Sequence, residues 1–169
     1  MSPRRPFADI KTMSTLFPAA ERAALAMGES EPGAEHLILA ALDLPDGSAA
    51  RAFERVGADP LGFREAVAAQ HEQALRSVGI AAPDELLSDR IPRPDKRKGV
   101  FRSKGSAQQV FRRVVKLVRK EKSQLYGAYI VMVAAETEAG TVVRALEHMG
   151  VDPGALALAA RQEIVALNG

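Results

Sequence analysis

Few of the 169 residues could carry chemistry, and their spacing narrows what that chemistry could be. There are three histidines, His36, His71 and His148, and no cysteine, so thiolate nucleophiles, disulfides and cysteine-rich zinc sites are excluded. A zinc site would have to be built from those histidines and carboxylates, at no recognised ligand spacing. His71-Glu72 fails the two-histidine metalloprotease pattern, because Leu75 stands where the second histidine is required. The nearest string to a Gly-x-Ser-x-Gly nucleophile elbow, Gly28-Glu-Ser-Glu-Pro-Gly33, lacks the strand that must precede it. No Gly-x-x-x-x-Gly-Lys-[Ser/Thr] phosphate loop occurs either. Neither catalysis nor a metal or cofactor is expected, and the chain reads as one that binds.

Two groups of residues remain for binding. Glu35 falls in the first turn of a helix opening at Ala34, where the helix dipole favours its charge. A carboxylate projecting from the surface there can take a guanidinium bidentately. His36 beside it reads as structural, bonded within the helix packing. The second group is cationic. From Asp89 to Lys122 stand thirteen Lys or Arg against three acids, a net +10, while the chain totals +2 and the remainder therefore carries −8. Arg93, Lys96, Arg97 and Lys98 lead into a helix whose outer face adds Arg112, Lys116 and Arg119. Those charges suffice to neutralise several phosphates of a nucleic acid, and would equally suit an acidic protein surface or a solvated face. The stretch before the helix holds one aromatic, Phe101, so stacking on unpaired bases has little support. Phe111, Tyr126 and Tyr129 could line a groove, but their spacing also fits a core.

What must position these residues is a pattern written twice. Gly47-Ser-Ala-Ala-Arg-Ala-Phe-Glu-Arg-Val-Gly-Ala-Asp-Pro60 recurs without a gap as Gly140-Thr-Val-Val-Arg-Ala-Leu-Glu-His-Met-Gly-Val-Asp-Pro153, an offset of 93. Each copy predicts a short helix closed by a glycine able to take positive φ, then a restart with Asp as the cap and Pro at the first helical position. An amphipathic pattern alone demands neither cap nor loop, so a supersecondary unit has been duplicated. Around it, Pro18 predicts a boundary with a helix from there to Met27. Ala34 to Leu42 follows as a second helix, apolar on most sides and hence central. The third is the first copy of the repeat, and Asp59-Pro60 caps a fourth running to about Ser77. Ile80 to Gly105, with three prolines, reads as a linker or ordered loop. Ser106 opens a helix with Val110, Val114 and Val118 on one face and cations on the other. Gly127 to Glu136 matches Gly33 to Leu42 at an offset of 94, which predicts a second inter-helix turn one residue shorter. The last helix runs from Asp152 to about Leu167, and no strand pattern occurs anywhere. The expected fold is all-α: two pseudo-symmetric four-helix repeats, residues 9–78 and 106–167, joined by a basic linker over 79–105 and packed into one globular domain.

The N-terminus lacks the apolar run of a signal peptide, and the longest apolar run, Tyr129 to Ala135, is too short to span a bilayer. A soluble cytoplasmic protein with no membrane partner is expected. Gly33-Ala-Glu-His-Leu-Ile-Leu-Ala-Ala-Leu42, with Gly47 to Gly57 and their second-half counterparts, resembles the Clp N-terminal double-repeat domain, the module in front of the ATPase rings of Clp unfoldases. The resemblance covers about Asp9 to Ile164. It implies a recognition module that binds degradation substrates, adaptors, peptides or a small-molecule ligand, delivering them to Clp ATPase or protease components or competing with their own N domains. With no phosphate loop, and the chain ending at Gly169, a free-standing N domain without ATP hydrolysis is expected. The resemblance also places Glu35 where the glutamate of some relatives reads phosphoarginine. Two departures stand out: the family's Thr is Ala34, and the second half reads Gly127-Ala128-Tyr129-Ile130, so at most one such site is expected. The alternative, from another class, is a basic nucleic-acid-associated protein using the Asp89 to Lys122 segment.

Overall fold

Two nine-residue segments with almost no polar side to turn to water fix the architecture. They are found as helices in a computed structural model, which describes residues 5–77, 104–138 and 140–169. The described residues form α1 (Arg5–Ala26), α2 (Ala34–Leu42), α3 (Ser48–Arg55), α4 (Pro60–Ser77), α5 (Gly105–Glu121), α6 (Gly127–Ala135), α7 (Thr141–Met149) and α8 (Pro153–Asn168). None of them is in a strand. Eight of the nine residues of α2 and all nine of α6 are buried, so both helices lie inside the protein.

α2 and α6 pack on each other and the other helices surround them. Across the halves α3 lies along α8 and α4 along α7, while α3 also touches α6 and α2 touches α7. One core cluster runs through both halves, from Leu37, Ile38 and Phe53 to Ile130, Leu146 and Ile164. Each such side chain contributes about 1.5–3 kcal/mol when fully buried. The turns behave as their residues require. Gly57 and Gly150 take φ of 73° and 71°, the left-handed values that close a helix, and Asp152 Oδ2 accepts the Ala155 amide to start α8.

Two expectations are corrected. Pro18 marks no boundary: it lies inside α1, a 22-residue helix that begins at Arg5. An interior proline costs about 3 kcal/mol or more. Here Leu16 and Ala20 are fully buried on either side of it, and the Phe17 ring meets Phe111 edge-on at 4.9 Å, so packing holds the helix across the missing hydrogen bond. The offset of 94 also fails. α2 and α6 are both nine residues long, and five residues separate each from the next helix, so the offset of 93 holds from the start of α2 to the start of α4. Gly127 is not the counterpart of Gly33. It is the first residue of α6, where a Cβ would come within 3.0 Å of the Ala41 carbonyl oxygen and 3.2 Å of Ala49 Cβ. Close approach of the helices requires that glycine, and a cap does not. Of the expected linker, all but residues 104 and 105 lie outside the described residues, and Arg93, Lys96, Arg97 and Lys98 lie there too.

Candidate functional site at the head of the second helix

The first turn of α2 has free backbone donors, and the residues around it satisfy them unusually. Gly33, in extended conformation, precedes the helix, and its N–H donates to His36 Nδ1 at 2.9 Å. The Ala34 N–H donates to Ser106 Oγ at 3.3 Å, a hydroxyl supplied by α5 in the other half. Two residues before that serine, the Lys104 N–H donates to the Pro32 carbonyl, which sets the start of α5 directly against the head of α2. Lys104 also pairs with Glu29, whose other oxygen lies 3.3 Å from His71 Nδ1 on α4. Burial pushes the Glu29 carboxyl up, but its hydrogen bond and attraction to Lys104 outweigh this and hold it below the usual 4.5.

Glu35 was expected to project from the surface, and it does not. It is only 6% exposed, with one oxygen 3.5 Å from His36 Nδ1. Its carboxylate folds back over Gly33, so closely that a Cβ there would sit 2.6 Å from Oε2. Helical side chains lean towards the N-terminus, and there the dipole favours a negative charge. His36 is 1% exposed, and burial holds its imidazole below the ordinary 6.5 although the Glu35 charge opposes this. The ring is therefore neutral. Because Nδ1 accepts a hydrogen bond, the proton is assigned to Nε2, which is buried without a partner among the described residues.

The head of α6 differs. Its first two amides donate to the first half: Gly127 N–H to Asp46 Oδ2 at 3.1 Å and Ala128 N–H to Ser48 Oγ at 2.9 Å. Asp46 Oδ1 in turn accepts from the Ser48 amide at 2.8 Å and hydroxyl at 2.5 Å. A carboxylate of the protein itself thus stands at the head of each central helix. An anionic ligand would have to displace it.

Sequence reasoning missed two further features. Glu163, 4% exposed on α8, accepts from Arg51 Nε at 2.8 Å and Arg55 Nε at 2.5 Å on α3, tying the halves together. Burial raises its carboxyl, but the two guanidiniums outweigh this and set it below 4.5. Both arginines stay partly solvated, so each pair contributes at most about 1 kcal/mol. The repeat made Arg51 visible, but its partner 112 residues away left no local signal. The other feature is a cleft of about 370 Å³ where the Gly57 to Asp59 turn and Glu65 of α4 face His148 and Met149 of α7, with Leu61 68% exposed on the same α4 turn as the cleft residue Gly62.

The remaining candidates are scattered. Arg112, Lys116 and Arg119 are exposed on α5. Phe111 and Tyr126 are half-buried, while Tyr129 is fully buried with its hydroxyl donating to Glu121 at 2.6 Å. Burial and that acceptor push the Tyr129 phenol up to about 12. Among the described residues no group of three or more His, Cys, Asp or Glu side chains could hold a metal ion, and no helix is long and apolar enough to cross a membrane.

Comparison with known proteins gives one finding. The family model described as the Clp repeat (R) N-terminal domain matches residues 11–135. No curated protein matches the chain.

Proposed function

The chain belongs to the Clp repeat N-terminal domain family, and on that premise we propose that it is a non-enzymatic binding module for proteins or peptides handled by Clp machines in the cytoplasm. The family match over residues 11–135 is the observation that carries this reading. The fold supports it, since an apolar residue, Leu61, stands exposed near a cleft between helices of the two halves. The partners proposed are degradation substrates, adaptors, or subunits of a Clp ATPase or protease.

A finer assignment concerns Glu35 as the acceptor for the guanidinium of phosphoarginine. To act so, its carboxylate has to leave Gly33, and the observed affinity is reduced by the fraction of molecules in which it has done so. Calorimetry with free phosphoarginine tests this: the protein releases heat on binding and Glu35→Ala does not. Equal silence from both removes phosphoarginine and leaves the broader reading standing. The broader reading is tested by immobilising the chain, passing host lysate over it and identifying retained proteins by mass spectrometry. Unfoldase subunits or their substrates retained above a helical control protein support it. Their absence, or turnover of a nucleotide or peptide by the purified protein, overturns it.

A further inference from the structure

We infer that the outer face of α5 is a docking strip for the phosphate backbone of double-stranded nucleic acid, read without regard to base sequence. From Gly105 to Lys120 this helix has no acidic residue. Val110, Val114 and Val118 are buried on its inner side, and Arg112, Lys116, Arg119 and Lys120 are exposed on the outer side. The spacings of four, three and one place those cations on one stripe about 12 Å long at 1.5 Å per residue, over which one strand of a duplex presents three or four phosphates.

Among the described residues none of the four is in a salt bridge, and only Lys120 has an attraction to an acid, the adjoining Glu121. Glu121 is itself engaged by Arg161 at 2.8 Å and by Tyr129, and Glu136 by Arg113 at 2.8 Å. The C-terminal dipole accounts for Arg119 and Lys120 in the last turn, but it does not reach Arg112 and Lys116 in mid-helix. A merely solvated helix face usually interleaves acids at the fourth position to relieve repulsion, and here Arg112, Lys116 and Lys120 repeat the same sign at that spacing. An external polyanion relieves it.

Duplex phosphate fits better than an acidic protein. Protein interfaces rest on buried apolar or aromatic anchors, yet the exposed large hydrophobic residues among those described are Ile10, Leu61, Leu158, Val165 and Leu167, none of them on α5. Unpaired strands fit worse still, since the one aromatic of α5, Phe111, is packed on Phe17.

The test uses the full chain and a labelled mixed-sequence DNA duplex, followed by fluorescence anisotropy between about 50 and 200 mM salt. Binding is expected to weaken linearly on logarithmic axes with rising salt, and to be the same for an unrelated duplex. Lys116→Glu with Arg119→Glu is expected to weaken it at least about tenfold at low salt and to flatten the slope by about 2. Lys116→Gln with Arg119→Gln moves both quantities in the same direction by less, and circular dichroism confirms that the helices persist. Arg76→Glu with Arg144→Glu, an equal charge change on α4 and α7, leaves the affinity within about twofold. No binding at low salt overturns the proposal, as does an equal loss in the two glutamate pairs or no loss in the α5 pair. Displacement of the duplex by poly-glutamate as readily as by unlabelled DNA assigns the strip to acidic proteins instead. The α5 variants leave retention of Clp components unchanged, so failure here is separable from failure of the family reading.

Discussion

His36 is a neutral imidazole in a place that resists a second proton. Its folded value lies below 6.5, so the unfolded chain takes up a proton that the folded chain refuses. Stability from this residue is therefore whole above pH 6.5 and declines as the pH falls from there towards the folded value. The carboxyls of Glu29, Glu121 and Glu163 also lie below their ordinary 4.5, and their contribution is lost only at pH values under that. Two acid steps are thus expected in the urea midpoint, and His36→Asn is expected to remove the upper one while leaving the lower. Midpoints measured on either side of pH 6.5 for both proteins check this, and an unchanged upper step would assign it elsewhere. That Glu35 lies buried beside this ring could not be read from the sequence. What covers the first turn of α2 is Ser106 and Lys104, more than sixty residues further along.

At the scale of elements, α2 and α4 begin and end where their residues predict, because caps and apolar periodicity are local. The errors arose where distant packing overrode local chemistry. Pro18 is tolerated because its neighbours are buried, and Gly127 mimicked a cap while serving as a contact point. That second distinction gives an expected outcome. Gly127→Ala gains helix propensity but forces a methyl against the Ala41 carbonyl, a backbone atom with little room to yield, and is expected to destabilise by about 1–3 kcal/mol. Gly62→Ala places its methyl 3.4 Å from the flexible end of Met149 and is expected to stabilise by about 0.5–1 kcal/mol. Urea unfolding of the two variants checks the opposite signs. The Glu163 clamp was illegible for a related reason. At the offset of 93 its counterpart in the first half is Gln70, so the repeat carried no hint of it.

For the whole molecule the all-α class was legible from composition and periodicity, while the way the halves are joined was not. A single core cluster and the packing of α3 on α8 and α4 on α7 lead us to expect one cooperative unit. Far-ultraviolet dichroism and tyrosine fluorescence are expected to report one coincident unfolding transition. Residues 1–77 and 104–169, prepared separately, are each expected to lack it, and a cooperative transition in either fragment would show that half to be self-sufficient. The serines at the two helix heads carry this further. Ser48 serves the second amide of α6 and Ser106 the first amide of α2, each reaching in from the opposite half. Each central helix thus borrows a hydroxyl from the other side of the molecule, and neither half holds every atom that completes its own spine.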